Sequence, residues 1–191
     1  MCCQYVYNGE TIKAALYDFE LDPEQYFNQD KRIVKPQDKA LLITGIENRA
    51  EVKEAFWGFP LKDSLVINAR SESAITKPMF SDSIMNRRCI IPADSFFEWD
   101  NYRNKVSFTV ENLPFFFLAG IWRMYPECDR FVVLTTAANA SMAPVHDRMP
   151  VMIDRADAKT WLFDKQGYKE LMTRSMPELT PYVEFEQIRM F

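Results

Sequence analysis

The sequence predicts an α+β protein whose strands outnumber its short helices. Segment 105–111 (KVSFTVE) alternates apolar and polar residues, the pattern of a strand with one buried face. Two continuous apolar runs, 115–122 and 130–138, suit strands that are buried on both faces. The fifteen phenylalanines and eleven prolines, against only five glycines, also favour a strand-rich chain with stiff connections.

Short strands and single helical turns alternate in the first half of the chain. Residues 10–19 carry apolar side chains near helical spacing, whereas residues 28–38 are polar and basic and predict an exposed loop around a short strand. Asp22 is placed to cap a helical turn over 23–27. The other expected elements are strands at 2–7, 40–46 and 51–59, a turn at 47–48, and helical turns at 71–76 and 82–86.

The second half of the chain adds further strands and two helices. Segment 88–99 (RCIIPADSFFEW) predicts a strand interrupted at Pro92, and Pro144 would end a helical turn within 137–145. The remaining expected elements are a strand at 150–154, helices at 155–164 and 167–174, and a terminal strand at 182–188. No repeat, low-complexity tract or linker divides the sequence, so we expect one domain over residues 1–191.

Composition limits the classes of function. The net charge is −4, from 23 basic and 27 acidic residues, so any binding to nucleic acid has to come from a local basic surface. The sequence has no apolar run long enough for a membrane span and no signal segment, and we expect a cytoplasmic protein with four reduced cysteines. Because it has one histidine and no C-x-x-C pair, we expect no metal and no other cofactor.

The second residue, Cys2, offers the most distinctive chemistry. Removal of Met1 would leave an α-amine and a thiol on adjacent carbons, and this 1,2-aminothiol can capture an aldehyde as an imine and then as a five-membered thiazolidine. The α-amine has a reference pKa of about 7.7–8.0, so much more of it is neutral at pH 7 than of a lysine amine. Cysteine at position 2 also arises by chance, and a retained Met1 would block this chemistry. The neighbouring Cys3 is either a second reactive thiol or an ordinary strand residue, while Cys89 and Cys128 suit the core.

Three polar residues stand in apolar surroundings where catalytic groups are found. Asn68 follows the apolar run LVI, Glu98 lies between two phenylalanines and a tryptophan, and His146 follows Pro-Val. A carboxylate and an imidazole are the usual proton carriers in catalysis, and an apolar surround raises a carboxyl pKa towards the working range. Each residue has a structural alternative: a turn or cap for Asn68, an ion pair with Arg88 or Arg148 for Glu98, and packing for His146.

Seven ordered blocks, from residue 2 to beyond residue 161, resemble the SRAP family (SOS response-associated peptidase). The blocks are MCCQY, WGF (57–59), NARSES (68–73), RRCIIPADSFFEW (87–99), AGIW (119–122), LTTAAN (134–139) and HDRMPV (146–151). The resemblance implies a single domain with a strongly curved, barrel-like, mainly antiparallel β core flanked by short helices. It also implies recognition of abasic sites in single-stranded DNA and covalent attachment to them, in the response to DNA damage.

The resemblance also assigns roles to individual residues. It makes Cys2 the nucleophile, Asn68 the residue that holds the N-terminus in place, and Glu98 the proton carrier for imine formation and ring closure. It implies that His146 assists opening of the deoxyribose to its aldehyde. It makes Arg70 a phosphate contact.

Binding of DNA needs basic and stacking groups beside these residues. The family usually begins MCGRY, so Cys3 and Gln4 stand where it has glycine and arginine; a phosphate contact is lost, although Gln4 still forms hydrogen bonds. The resemblance suggests that Phe56 and Trp57 stack on bases that flank the lesion, with core packing as their alternative. The expected DNA-binding residues are Gln4, Phe56, Trp57, Arg70, Arg87 and Arg148.

The favoured function is therefore covalent capture of abasic single-stranded DNA through Cys2, with suspected peptidase and lyase-type activity. Two alternatives stay open: a non-catalytic module that binds single-stranded DNA, and a thiol autopeptidase that acts on its own N-terminus. The expected partner is single-stranded DNA that contains abasic sites, as at replication forks. We expect the protein to be a monomer and to have no membrane partner.

Overall fold

Strands dominate the computed structural model, which describes residues 2–26 and 31–184. The strands are β1 (Gln4–Tyr7), β2 (Arg32–Val34), β3 (Lys39–Ile46), β4 (Arg49–Trp57), β5 (Phe59–Leu61), β6 (Ser64–Val66), β7 (Asn68–Arg70), β8 (Arg88–Ala93), β9 (Ser95–Trp99), β10 (Lys105–Val110), β11 (Phe116–Met124), β12 (Asp129–Ala137), β13 (Arg148–Pro150), β14 (Met152–Ile153) and β15 (Leu179–Glu184). The helices are α1 (Gly9–Tyr17), α2 (Ser71–Ala74), α3 (Ser81–Asn86), α4 (Ala158–Phe163) and α5 (Tyr168–Leu171), with 3-10 turns at Glu24–Tyr26 and Arg155–Asp157. The predicted α+β class is confirmed.

A closed ring of strands forms the centre of the fold. Its strands follow the order β12-β4-β3-β8-β11, and β11 pairs again with β12 to close the ring. β7 pairs with β12 beyond β4, while β13 and β14 continue the sheet beside β12 and β11. In the described part of the chain, only the β12–β4 and β12–β7 pairs are parallel. The expected barrel-like, mainly antiparallel core is confirmed.

A second sheet carries the beginning of the chain. Its order is β15-β10-β9-β1-β2, and all of its pairs are antiparallel. The register places Gln4 opposite Phe97 on β9. The same buried apolar cluster joins this sheet to the ring, for example through Tyr5, whose ring centroid lies 5.3 Å from that of Trp57. The N-terminal strand is therefore held between two neighbours rather than at an edge.

The strand predicted over 88–99 is divided at Asp94 and not at Pro92. β8 runs through Pro92 to Ala93 in the ring, and β9 begins at Ser95 in the second sheet. Pro92 is tolerated because it lies beyond the residues of β8 that pair with β3, so β3 does not require its missing N–H. This crossing strand brings Glu98 from the ring to the sheet that contains the N-terminus.

Most of the other predicted elements are confirmed, within a residue or two at each end. Residues Glu47 and Asn48 form the predicted turn and have positive φ values of 46° and 66°. The Asp22 carboxylate accepts a hydrogen bond from the Glu24 N–H at the start of the first 3-10 turn. A helical turn lies within the segment 137–145, where the Ala143 N–H donates to the Asn139 carbonyl, but the turns continue through Pro144 to Val145. The strand expected at 150–154 is broken at Val151. The part of the predicted terminal strand after Glu184 lies outside the described residues.

None of the helices in the described ranges is long and apolar enough to cross a membrane.

Candidate active site

Cys2 lies two residues before the start of β1, in the buried apolar cluster that joins the second sheet to the ring. Its side chain is buried, and its carbonyl oxygen accepts a 2.8 Å hydrogen bond from the Asn68 side-chain Nδ2. Asn68 begins β7 and lies opposite Val133 of β12, so its position is fixed by the ring. This hydrogen bond spans 66 residues of sequence and joins the two sheets at the nucleophile expected from the sequence.

Glu98 approaches Cys2 from the other side, on β9. Its side chain is 4% exposed, and its Oε1 accepts a hydrogen bond from the Trp99 N–H. The preceding residue, Phe97, pairs with Gln4, which brings the carboxylate beside the first residues of the chain. Its negative charge raises the pKa of both the Cys2 and the Cys3 thiol. The structure therefore brings together Cys2, Asn68 and Glu98.

The two arginines considered as partners of Glu98 have other roles. Arg148 forms a forked ion pair with Glu72. Arg88 is buried and donates to backbone carbonyls at the ends of two helices, those of Ile84, Met85, Trp161, Leu162 and Asp164. Arg88 thus satisfies helix carbonyls that would otherwise be buried without a donor.

Both N-terminal thiols favour the protonated state. Burial raises the pKa of the Cys2 thiol well above its ordinary value, with smaller contributions in the same direction from Cys3 and Glu98. Burial also raises the pKa of the half-buried Cys3 thiol to about 11. Because a thiolate and not a thiol is the nucleophile, a neighbouring base has to take the proton at the moment of attack. Glu98 is a carboxylate whose charge acts on both thiols.

His146 lies in the loop before β13, with a partly exposed side chain. Its Nδ1 accepts a 2.9 Å hydrogen bond from the Arg148 N–H, and the Asp147 carboxylate oxygen lies at the same distance from this nitrogen. One Nδ1 cannot accept from Arg148 and donate to Asp147. Because a backbone N–H only donates, we take the bond from Arg148 to set the tautomer, which leaves the ring proton on Nε2.

Arg148 connects the His146 loop to β7 and α2. Its guanidinium donates to both carboxylate oxygens of Glu72 at 2.7 and 2.8 Å and to the carbonyl of Thr135 at 2.7 Å. The hydrogen bonds with Arg148 hold the pKa of Glu72 below its usual range. Thr135 pairs with Arg70, and Arg70 lies two residues after Asn68. The ring therefore places His146 and Arg148 on the β7 side of the site.

Several buried polar atoms near Arg70 lack a hydrogen-bond partner within the described ranges. They are Oδ1 of Asn68, Oγ of Ser71, Oγ1 of Thr135 and Nε of Arg148. Buried polar atoms are normally paired, so such a group indicates unmet hydrogen-bonding capacity at this place in the fold. Ser71 and Thr135 lie in the blocks NARSES and LTTAAN, but two hydroxyl residues in a strand-rich chain carry no distinguishing signal in the sequence.

The expected DNA-binding residues divide into exposed and buried groups. Arg70 is exposed at the end of β7, and Gln4 is partly exposed on β1. Phe56 is partly exposed, with the guanidinium of Arg130 5.9 Å from its ring centroid. Arg87, at the end of α3, forms an ion pair with Asp82 of the same helix.

The expectation that Trp57 stacks on DNA is corrected by the structure. Its side chain is fully buried, its Nε1 donates to the Ile67 carbonyl at 2.8 Å, and its ring stacks on Phe131 at a centroid distance of 6.0 Å. Period-two alternation along β4 turns Trp57 into the core together with Ala55 and leaves Phe56 at the surface. Trp57 has no exposed ring face to offer a base.

Comparison with known proteins gives consistent matches over nearly the whole chain. The model of the family described as SOS response associated peptidase (SRAP) matches residues 1–189. Abasic site processing protein YoaM of Bacillus subtilis is 30% identical over 177 residues, which cover 81% of this chain and 78% of the relative. Abasic site processing protein YedK of Escherichia coli is 28% identical over 164 residues, covering 80% and 72% of the two chains.

Solved structures share the fold at lower identity. A protein from Bacteroides thetaiotaomicron is 23% identical with a TM-score of 0.76, covering 95% of this chain and 91% of the other. A phage-related protein from Bordetella bronchiseptica is 19% identical with a TM-score of 0.78, covering 98% and 96%. These two similarities concern the arrangement of strands and helices.

Proposed function

The chain belongs to the SOS response associated peptidase family, and on that premise we propose that it recognises abasic sites in single-stranded DNA and crosslinks to them through Cys2. The observation that carries the proposal is the meeting of Cys2, Asn68 and Glu98, from three separate strand regions, at one buried corner. Relatives named abasic site processing proteins support the substrate. We further propose that one domain over residues 1–191 does this as a cytoplasmic monomer.

The proposed reaction begins with removal of Met1 and opening of the abasic sugar. The deoxyribose without its base is a hemiacetal, and its ring oxygen has to gain a proton as the aldehyde forms. We propose that His146 gives its Nε2 proton to that oxygen while water carries the proton of the C1′ hydroxyl back to the imidazole, so that no net proton is consumed.

The Cys2 amine then attacks the aldehyde carbon. Loss of one water molecule gives an imine, and Glu98 in its protonated form supplies the proton to the departing hydroxyl. The Cys2 sulfur adds to the same carbon and its proton passes to the nitrogen through Glu98, which closes the thiazolidine with no further loss of atoms. The hydrogen bond from Asn68 to the Cys2 carbonyl fixes the residue that carries both nucleophiles.

In this proposal, exposed positive charge on the β7 side holds the DNA strand. Arg70, which is exposed at the end of β7, is proposed to contact a phosphate. Arg148 has to exchange Glu72 for a phosphate before it can help. Because the net charge is −4, undamaged DNA should bind weakly and with strong salt sensitivity.

Intact mass before and after incubation with abasic single-stranded DNA tests the proposal. We expect a starting mass without Met1 and a shift equal to the oligonucleotide less one water molecule. Cys2→Ala and Cys2→Ser both keep the α-amine and lose the thiol, so each should lose the stable adduct and leave only an imine that borohydride traps. An adduct that survives Cys2→Ala without borohydride would overturn the assignment of the nucleophile. Tight binding without any adduct would select the non-catalytic binding module.

Two finer activities have their own readouts. The family description includes peptidase, and a buried carboxylate beside Cys2 is placed to assist removal of Met1. Synthesis in a cell-free system without methionine aminopeptidase tests this, since autocatalysis requires Met1 to leave the wild type and to stay on Glu98→Gln. Lyase activity would appear as cleavage of the DNA on the 3′ side of the abasic site, by β-elimination from the imine.

A further inference from the structure

The hairpin between β9 and β10 projects beyond the nucleophile. Trp99 and Lys105 form the last pair of this ladder, and residues 100–104 make the connection, which we call the tip. On the other edge of β9, Gln4 lies opposite Phe97. Continuing that register brings Cys2 level with Trp99, the residue from which the tip departs. The tip therefore stands at the same end of the sheet as the proposed site.

The tip has an ordered backbone and a strongly exposed aromatic side chain. The Asp100 carboxylate accepts hydrogen bonds from the N–H groups of Tyr102 and Asn104, both at 2.8 Å, and from the Asn104 side chain at 2.9 Å. The Arg103 N–H donates to the Asp100 carbonyl. Tyr102 is 87% exposed, more than any other large apolar side chain in residues 2–26 and 31–184.

Positive charge accompanies the exposed ring. Arg103 is exposed on the tip itself. The Lys105 ammonium lies 3.7 Å from the centroid of the Phe97 ring and lowers the pKa of Cys3, which places it beside the first residues of the chain. Asp100 is the acidic residue of the tip, and its two carboxylate oxygens are engaged in the turn. Gln4, the polar side chain beside Phe97, carries no charge.

We propose that the tip holds the nucleotide next to the abasic site, with Tyr102 stacked on its base and Arg103 and Lys105 at its phosphates. The proposal rests on the function proposed above and extends it from the abasic sugar to the neighbouring base. An abasic gap removes a stacking partner from each adjacent base, and an exposed aromatic ring restores that contact. An aromatic ring can stack on any base of a single strand, because every base presents a π face, and cations beside the ring can bind the adjacent phosphates.

Binding of a non-reactive abasic analogue, a tetrahydrofuran site in single-stranded DNA, tests the tip without the covalent step. A 2-aminopurine base is placed on the 5′ or the 3′ side of the analogue in two separate oligonucleotides. We expect wild-type protein to quench its fluorescence on one side only. Tyr102→Ala should remove this quenching and weaken binding about tenfold, while Tyr102→Phe keeps both. Tyr17→Ala is the matched control, because Tyr17 is also exposed but lies at the end of α1.

Arg103→Gly separates binding from folding. Arg103 has a φ of 65°, in the left-handed region that glycine adopts without strain, so the melting temperature should be equal or higher while affinity falls. Equal quenching and affinity for Tyr102→Ala and wild type, with normal crosslinking, would overturn the tip proposal and leave the proposed function intact. A wild type that neither binds nor crosslinks abasic DNA would overturn both.

Discussion

The two sides of the candidate site are built in opposite ways. The nucleophile corner, formed by Cys2, Asn68 and Glu98, is buried and tied together by short contacts between sheets. The charged rim, formed by Arg70, Glu72, His146 and Arg148, is partly open to solvent and held by ion pairs and loop hydrogen bonds. A buried corner favours proton transfer and fixed geometry, whereas an open rim favours attraction of DNA and exchange of partners.

This contrast predicts that changes in the corner alter the rate of crosslinking and changes in the rim alter affinity. The two readouts are separable, because the tetrahydrofuran analogue binds without reacting.

Glu98→Gln should slow crosslinking about 100-fold, because the amide carries no proton between the amine, the departing hydroxyl and the thiol. Adduct formation is followed by denaturing electrophoresis under single-turnover conditions. Affinity for the tetrahydrofuran analogue should not change. A variant that crosslinks at the wild-type rate would remove Glu98 from the chemistry.

Asn68→Ala should slow crosslinking about tenfold, because the Cys2 carbonyl loses its 2.8 Å hydrogen bond and the two nucleophiles lose their fixed position. The free energy of unfolding should fall by about 1 kcal/mol, measured by urea denaturation. Asn68→Asp is the near-isosteric companion, since a carboxylate cannot donate to the carbonyl. Wild-type rates in both variants would contradict the positioning role.

Arg70→Ala should weaken binding of the analogue about fivefold and lower the slope of log affinity against log salt by about one. Fluorescence anisotropy at several salt concentrations measures both quantities. Arg49→Ala is the control, because Arg49 carries the same charge and is exposed at the first residue of β4, at the other end of that strand from its pairing with β12. An unchanged salt slope would show that Arg70 does not contact phosphate.

Glu72→Gln should tighten binding about threefold, because Arg148 no longer has a charged partner that competes with phosphate. Glu47→Gln removes the same charge at a turn on another part of the ring and is the control. Weaker binding by Glu72→Gln than by this control would indicate that Glu72 positions Arg148 for DNA rather than competing for it.

As the pH rises from 9.0 to about 11, the free energy of unfolding should fall less in Cys3→Ala than in wild type, by a difference of less than about 1 kcal/mol. Burial raises the Cys3 pKa from 9.0 to about 11, so the folded state holds this proton where the unfolded state has released it. Stability from Cys3 is therefore complete below pH 9.0 and declines as the pH rises towards 11. The effect is modest because the side chain is partly exposed. Urea denaturation at stepped pH values compares the variant with wild type.

Local patterns in the sequence predicted most of the strands and few of their partners. Alternation over 105–111 and the apolar runs at 115–122 and 130–138 identify β10, β11 and β12, because side-chain period and burial are local properties. Closure of the ring was expected only from the family resemblance. It depends on β12 pairing with both β4 and β11, which no single window of sequence contains.

The site shows the same division. Cys2 is chemically distinctive wherever it lies, so the sequence identified it without help from the fold. The Asn68 hydrogen bond and the ion pair between Glu72 and Arg148 span 66 and 76 residues, and spacing along the chain does not reveal them. Trp57 is the reverse case. The alternation along β4 already indicates that Ala55 and Trp57 share a buried face, but stacking of Trp57 on DNA was inferred from the WGF block alone.

The hydrogen bond between Asn68 and Cys2 has a consequence for entropy. The first residues of a chain ordinarily sample many orientations, and a reactive group placed there would lose that freedom in each encounter with a substrate. Here the loss is met when the protein folds, because β1 pairs on both edges and Asn68 holds the carbonyl of Cys2, two residues before β1. An aldehyde that enters the site therefore meets an amine and a thiol at a high effective concentration, with only its own motion left to restrict.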